Sequence, residues 1–483
     1  MRPIYSILTE DDIKRIVKKG FELLETTGIM VHNREALEIF ASGGASVDYE
    51  SEIVHIPSHI VEKALKLAPP SIVLYDGDGN PAMNLQGYNV HYDPGSAAIH
   101  FLDHHTGEVR KPVTKDFIEF IKIVEQLNNI DAQSTALICS DVPEEIADRY
   151  RLFLILKYSK KPVITGAFSI DAPHVMHKML SLLAGGEDLL REKPRAIFDV
   201  CPSPPLMWSD VTSQNLIDCA RAGIPYELIS MPLAGGTSPA TLAGALVQHT
   251  AENLSGVVLG QLTSPGAKVI YGGSPAIFDM RKGTTPMGAI ETMMIDSSYN
   301  QIGKYLGLPT HAYMGLSDTK VPDSQSGAES AAGIILGTLA GINVISGPGM
   351  LDFESCQSLE KLLLDNEICG MAKRLSRGID TSDEALAFDI IKEVGHEGKF
   401  LSHRHTLKWF NKEQFIPSSI IDRSHRREWA VDGEKSCRKR AKDRIPELLK
   451  TYRGKPINSE VEEKLDEIML SQKGFPGELL SEK

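Results

Sequence analysis

Short apolar runs rich in β-branched residues recur through the middle of the chain, and amphipathic stretches fill the spaces between them. The runs are STALIC from Ser134, VITGAF from Val163, AIFDV from Ala196, YELIS from Tyr226, VIYGG from Val269, THAYM from Thr310 and NVISG from Asn343, with starts 29 to 43 residues apart. Apolar runs this short, bounded by Gly, Pro and polar residues, read as buried strands. Between them lie helical patterns such as PEEIADRYRLFLILKYSKK, where Ile146, Tyr150, Phe153 and Leu154 share one face. Asp141, Pro143 and Glu144 predict a capping box at the start of that helix.

Parallel strands joined by helical crossovers need a repeat of about this size. Seven units in series, with an eighth expected from SAAIHFL and the helix TKDFIEFIKIVEQL, predict an α/β fold, a TIM (β/α)8 barrel. An open doubly wound sheet is the alternative. No GxGxxG or GxxxxGK[ST] follows any of the runs, which leaves a dinucleotide or P-loop site without support.

The pattern changes on either side of the repeat. Residues 1–85 hold a helix over DDIKRIVKKGFELLETTG, a second over SHIVEKALKLAP, and the turn dipeptides Asp-Gly and Gly-Asn within SIVLYDGDGNPAMNL. These predict a small N-terminal α+β cap. The barrel is expected over 86–377. Residues 378–483, with HRHTLKWF, DRSHRREWAVDGEK and SCRKRAKDRIPELLKTY, read as a charged C-terminal helical extension.

Composition narrows the class. Of 483 residues, 42% are hydrophobic and 24% charged, ordinary for a soluble globular protein. The net charge, 51 − 64 = −13, disfavours attraction to nucleic acid or anionic lipid, so neither a nucleic acid nor a membrane is expected as partner. Six cysteines are scattered without a CxxC pair, which argues against structural zinc and disulfides and fits a reducing, cytoplasmic location. No secretory leader is visible, and AAGIILGTLAGINVI, the most apolar segment, contains Gly, Thr and Asn and reads as a buried helix running into a strand.

In barrels of this kind chemistry sits in the loops after the strands. The loop and helix start SDTKVPDSQSGAES gathers Asp318, Lys320, Asp323, Gln325 and Glu329, with Gln325 and Glu329 on one helix face. Other strand ends carry HYDPGSAA (His91, Tyr92, Asp93), GAFS (Phe168), CPSPPLMWSD (Trp208, Asp210), YGGSPAIFDMRKG (Tyr271, Phe278, Asp279, Arg281) and SGPGMLDFES (Asp352, Phe353, Glu354). Aromatic rings beside carboxylates suit an alkylammonium cation, because both attract diffuse positive charge. The plainer reading gives helix capping to Asp318 or Asp323, neutralisation to Lys320 and core packing to the aromatics. HYD, DHH and HRH offer histidines for a metal-dependent hydrolase, but they lack the spacing of barrel ligands and DHHTGEV reads as a turn, so no metal site is expected.

AGGTSPATLAGALVQHTAENLSGVVLGQL, PGAKVIYGGSPAIFDMRKG, GLPTHAYMGLSDTKVPDSQSGAES and SLEKLLLDNEI, in this order, resemble the trimethylamine:corrinoid methyltransferase family. The resemblance runs from about Asp93 into HRHT and DRSHRREW of the C-terminal region. It implies a TIM barrel that passes a methyl group from a methylated amine to Co(I) of a corrinoid carried by a separate cognate protein, with no cofactor held tightly by the chain itself.

Trimethylamine members carry pyrrolysine, whereas this chain is written in the twenty standard letters and is similar to the non-pyrrolysine branch, glycine betaine:corrinoid protein methyltransferases. A quaternary amine already bears the charge that makes a neutral tertiary amine the leaving group, so no activating residue is needed. Glycine betaine is the first expectation, with proline betaine, carnitine or γ-butyrobetaine as alternatives, and a noncatalytic betaine-binding barrel as the alternative of another class.

On this reading no residue is a covalent nucleophile. Asp318, Gln325 and Glu329 define the polar mouth, and Tyr92, Phe168, Trp208, Tyr271, Tyr313 and Phe353 are candidates for the cation wall. Arg281, His311 and Lys320 are candidates for a substrate carboxylate, with Arg281 locked to Asp279 or Glu291, and His311 a satisfied core residue, as the competing assignments. The helical extension and the need to dock a corrinoid protein point to a homo-oligomer.

Overall fold

The computed structural model of the protein describes residues 2–454 and 457–481. Eight short strands alternate with eight helices along the middle of the chain. The strands are β1 (His91–Asp93), β2 (Gln133–Ser134), β3 (Val163–Gly166), β4 (Ala196–Val200), β5 (Tyr226–Ser230), β6 (Val269–Gly273), β7 (His311–Tyr313) and β8 (Val344–Ser346). The helices that follow them are α1 (Thr114–Gln126), α2 (Ala147–Tyr158), α3 (Ala172–Ala184), α4 (Asp210–Ala222), α5 (Leu242–Thr263), α6 (Ile290–Tyr305), α7 (Ser324–Ala340) and α8 (Leu359–Ser376).

All pairings among these strands are parallel: β2 to β6 form one arc in chain order, and β7, β8 and β1 form a second. The arcs meet through a parallel bridge between Tyr271 and Thr310, and through the Asp131 and Ala132 N–H groups, which donate to the Tyr92 carbonyl at 2.8 and 3.2 Å. The architecture is therefore α/β.

The eighth strand is not the expected one. HYD supplies β1, while SAAIHFL contributes His100–Leu102 to a rim sheet, antiparallel to Val109–Arg110 and parallel to Cys356–Gln357. The tight turn after Leu102 draws this segment off: the Asp103 carboxylate accepts from the His105 and Thr106 N–H groups at 2.8 and 3.2 Å, and Arg110 clasps it at 2.9 Å. Asp141 also departs from expectation, since its carboxylate accepts the Thr114 N–H at 3.0 Å and so caps α1. The next helix begins at Ala147, after a single 3-10 turn over Glu144–Ile146.

Successive side chains on a strand face opposite sides. At the amino ends of the strands the inward residues are aliphatic: Ile164, Ile197, Ile270 and Val344 pack with Ile72, Leu74, Met83 and Leu85, in and beside a hairpin of Val73–Tyr75 and Pro81–Asn84 that plugs this end. Nearer the carboxyl ends the inward positions turn polar, with Asp93, Asp199, Glu227, His311 and Ser346. The outward residues Tyr92, Phe198, Tyr226 and Tyr271 join the core between strands and helices.

The amino-terminal helix Glu10–Thr26, opened by a Thr9–Asp12 capping box, lies on α5. Gly20 permits the approach, since a Cβ there would sit 2.8 Å from Thr250 Cγ2. A small sheet of Ile29–Val31, Ser46–Asp48 and Ile53–His55 captures Met207–Trp208 from the loop after β4. At the other end of the chain, Cys437–Thr451 packs on α8 and α1, burying Ala441, Ile445 and Leu448. Ser459–Leu470 packs on α3 and α2. Among the described residues no helix is long and apolar enough to cross a membrane.

Candidate active site

A cavity of about 290 Å³ lies at the carboxyl ends of the strands, lined by Ser96, Arg151, Phe168, Asp199, Tyr313 and Glu354, together with Thr135, Cys201 and Ile229. Tyr313 reaches it from β7, its hydroxyl 3.1 Å from Ser96 Oγ and 3.5 Å from Asp199 Oδ2. Asp199 stands on β4 in register with Glu227 on β5, and the two carboxyls are in hydrogen-bonding contact. Beneath them, Glu227 Oε1 lies 3.7 Å from His311 Nε2, which meets Ser346 Oγ at 2.9 Å. Ser346 donates to Asp93 Oδ2 at 2.5 Å, and the Gly95 N–H donates to Asp93 Oδ1 at 3.0 Å.

Four carboxyls thus share one water-poor interior, and burial there disfavours the charged forms. It pushes Asp199 up to about 6 and Asp93 up to about 7, and drives Glu227 and Glu354 well above the usual carboxylate range. Burial likewise raises the Tyr313 hydroxyl and pulls His311 down to about 3, so the imidazole is neutral. The acid wall therefore carries fewer negative charges at neutral pH than it has carboxyls.

Glu354 reaches the cavity from an unusual loop. Asp352, Phe353 and Glu354 have φ of 51, 56 and 70°, three consecutive non-glycine residues in the left-handed region. Each such residue costs on the order of 1 kcal/mol or more, and such strain persists where surrounding bonds hold it. Here the Asp352 N–H donates to the Thr319 carbonyl at 2.9 Å, Ser355 Oγ donates to the Asp352 carboxylate at 3.0 Å, and Lys320 Nζ stands 3.1 Å from Asp352 Oδ1. The turn presents Glu354 Oε1 to the Ser96 N–H at 3.4 Å.

Arg151, at the start of α2, completes the wall. The residue is 1% exposed, and its guanidinium sits 4.8 Å from the centre of the Phe168 ring. Nη1 donates to the Thr135 carbonyl at 2.6 Å and Nε to the Ala147 carbonyl at 3.2 Å, while Nη2 is buried without a partner. Burial lowers this group to about 10, still fully charged at neutral pH.

Of the residues expected from sequence, Phe168 and Tyr313 line this cavity. The others lie elsewhere. Tyr92 is buried on the outward face of β1, its hydroxyl 2.5 Å from Thr338 Oγ1. Tyr271 faces α5, where its hydroxyl reaches Thr250 Oγ1 at 3.3 Å. Trp208 is buried in the small sheet with Nε1 donating to Ser255 Oγ at 2.9 Å. Arg281 is at the surface, paired with Asp279 at 2.8 Å. His311 is neutral and lies below the cavity, which suits the core assignment over carboxylate binding. Lys320 is at the rim, between Asp352 and the Phe353 ring, 4.0 Å from the ring centre.

The polar cluster of Ser317 to Ser330 is a joint between loops. Asp318 Oδ1 accepts the Met287 and Gly288 N–H groups at 2.9 and 3.0 Å, and burial pushes this carboxyl up to about 6. Glu329 Oε2 accepts from Ser317 Oγ at 2.6 Å and from the Asp318 N–H at 2.9 Å, and Gln325 Nε2 donates to its other oxygen at 2.8 Å. Asp323 caps α7. Asp318, Gln325 and Glu329 are thus brought together, but beside the cavity and not in its wall. Among the described residues no group of three or more His, Cys, Asp and Glu is placed to hold a metal ion.

Asp199, Glu227 and Arg151 were not singled out from sequence. A signal was available for the two acids: AIFDV and YELIS each hold one carboxylate inside an otherwise buried strand, a placement that is rare without a partner or a purpose.

The family described as trimethylamine methyltransferase (MTTB) matches residues 1–474. Trimethylamine methyltransferase MttB of Desulfitobacterium hafniense (strain DSM 10664 / DCB-2) is 35% identical over 453 residues, covering 94% of this chain and 91% of the relative. MttB of Methanosarcina thermophila is 35% identical over 463 residues, covering 94% and 95%. Glycine betaine methyltransferase of Desulfitobacterium hafniense (strain Y51) is 31% identical over 476 residues, covering 98% of each chain. In fold, the chain is similar to the crystal structure of Methanosarcina barkeri monomethylamine methyltransferase (MtmB), with a TM-score of 0.52 at 13% identity over 92% of this chain and 89% of that one.

Proposed function

This chain belongs to the trimethylamine methyltransferase (MTTB) family and is a methyltransferase, and from that premise we propose that its methyl donor is a quaternary amine of the glycine betaine type and its methyl acceptor a corrinoid carried by a separate protein. Relatives named for trimethylamine and for glycine betaine are of similar identity, so the argument for the donor rests on the site. We read the eight strands as one closed barrel with this site at its mouth, a reading supported by the two junctions between the arcs.

The observation that carries the proposal is the buried acid wall of Asp199 and Glu354, backed by Glu227, in which burial holds the two glutamates against ionisation, with the Tyr313 and Phe168 rings beside it. A quaternary ammonium has no N–H to donate, so it is held by ring faces and by oxygens that surround it. During methyl transfer the nitrogen loses its positive charge. A fully ionised wall would therefore grip the substrate more tightly than the transition state and slow the reaction. Carboxyls kept partly protonated by burial still offer lone pairs, with less of that penalty.

The remaining tasks of the chain are orientation and exclusion of water. Tyr313 and Ser96 fix the position of Asp199, and the Asp352–Glu354 turn fixes Glu354. A cavity of about 290 Å³ suits a small amine and is too small for a corrinoid, so the acceptor must be presented from outside. A neighbouring hollow of about 690 Å³, lined by Ile99, Ile138 and Val142 and sharing Phe168, supports an approach from that side. The corrinoid supplies the nucleophile for the methyl carbon. Assembly into a homo-oligomer, expected from sequence, is supported by apolar side chains exposed between Ile379 and Val431, where Leu401 and Leu407 are 91% and 84% exposed.

The test combines the purified chain with a cognate corrinoid protein in its reduced state and follows the visible spectrum as glycine betaine, proline betaine, carnitine, γ-butyrobetaine and trimethylamine are added in turn. Methylation of the corrinoid by a quaternary amine, with release of the matching tertiary amine and no reaction with trimethylamine, is the expected result. Reaction with trimethylamine alone would overturn the proposal.

A further inference from the structure

We propose that Arg151 anchors a substrate carboxylate and restricts this site to zwitterionic amines, those bearing a carboxylate a short chain from the ammonium. The inference rests on the quaternary-amine reading and deepens it by assigning the other end of the substrate.

Arg151 is the one cationic side chain in the wall of the cavity, among the described residues. Its guanidinium is buried, committed through Nη1 and Nε to two main-chain carbonyls, and left with Nη2 unpartnered. No described carboxylate forms an ion pair with it. Asp148, three residues earlier on the same helix, is engaged instead by Arg149 Nε at 3.3 Å and by the Phe168 N–H at 2.8 Å. A buried guanidinium short of one acceptor is costly, and a ligand that brings an anion relieves the cost. The planar donor set of arginine also matches a carboxylate in geometry.

The same cavity contains the complementary acid. Asp199 lines it beside Tyr313 and Glu354, with the Glu227 carboxyl behind it and no described cationic side chain paired to it. One guanidinium short of an acceptor and one unpaired acid in a single small cavity fit a molecule that carries both charges. The cations suggested by sequence cannot take this role, because Arg281 is spent on Asp279 at the surface, Lys320 is at the rim on Asp352, and His311 is neutral and below the floor. The Phe168 ring, 4.8 Å from the guanidinium, orients it and shields it from water.

The test titrates the full chain alone, by calorimetry, with glycine betaine, its neutral primary amide and choline. The wild-type chain should bind glycine betaine roughly 10- to 100-fold more tightly than the amide or choline, the range expected for a charge-assisted bond that the analogues cannot make. Arg151→Gln should erase that preference and leave choline binding unchanged. The ligand series on the wild-type chain reads the preference even where the variant fails to fold. Equal affinity for all three ligands would overturn the anchor while leaving a quaternary-amine site intact. Binding of none would remove both readings. A folded Arg151→Gln chain that keeps the betaine preference, or loses all three ligands equally, would also overturn the assignment.

Discussion

Asp199 and Glu227 face each other in register on adjacent parallel strands, with Glu227 sealed in the interior and Asp199 at the cavity. Two carboxylates cannot hydrogen-bond, so their contact requires a proton between them, and Glu227, the more deeply enclosed, is the group driven further from its usual range.

Glu227→Gln tests which form the fold carries. A carboxyl raised in the folded state gives stability that is present below its unfolded value and lost as pH rises through the folded one. The amide is permanently neutral. Relative to wild type, the variant should therefore hold or gain thermal stability as pH rises from 5 to 8. A deficit in Tm that widens toward pH 8 would show that the native protein carries Glu227 ionised.

Asp199 should set a pH dependence in the reaction itself. Raising pH through about 6, where burial places this carboxyl, adds negative charge beside the ammonium. Ground-state binding then tightens more than transition-state binding, so KM and kcat should fall together across that range. Asp199→Asn should flatten both profiles and raise KM for glycine betaine by roughly 10-fold at pH 8, the scale of one lost charge contact. A kcat that rises with pH in the wild type would contradict the neutral-wall argument.

The left-handed run gives a prediction with opposite consequences for stability and binding. Phe353→Gly relieves one strained φ, about 1 kcal/mol, and frees the turn that aims Glu354. Tm should be unchanged or higher. The Phe353 ring packs against Lys320 outside the cavity wall, so KM should rise only through the loosened Glu354, by a few-fold. An increase in KM beyond that of Tyr313→Phe would return Phe353 to the cation wall.

Six strands, β3 to β8, were legible because each falls in a short apolar run, and a strand covered on both sides by neighbours needs no alternation. β2 is Gln133–Ser134 and keeps only the first residue of STALIC, and β1 was not legible, since HYD is three residues with two polar ones. The side of the strand was the harder matter. In Tyr92–Asp93, Phe198–Asp199, Tyr226–Glu227 and Tyr271–Gly272, the aromatic faces the helices and its neighbour faces the interior. Tyr92 and Tyr271 therefore face away from the cavity, and Tyr313, whose parity is the other one, reaches it. Arg151 left no mark at all, because α2 is buried nearly all round and the turn of it that overlooks the strand ends is fixed by tertiary packing.

Trp208 separates a structural aromatic from a binding one. Its ring is fully buried, its Nε1 donates to Ser255 Oγ at 2.9 Å, and Gly256 leaves room for it, since a Cβ there would stand 3.0 Å from Trp208 Cζ2. The residue also forms the register pair with Val31 that joins the loop after β4 to the amino-terminal sheet. Trp208→Phe removes a buried hydrogen bond and part of the packing, which should cost roughly 1 to 3 kcal/mol and lower Tm by several degrees. Because the ring does not line the cavity, kcat and KM for the amine should stay within about twofold of wild type at temperatures where the variant is folded. The converse pattern, an unchanged Tm with a KM raised 10-fold or more, would mean that the ring touches substrate and that the loop after β4 is part of the site.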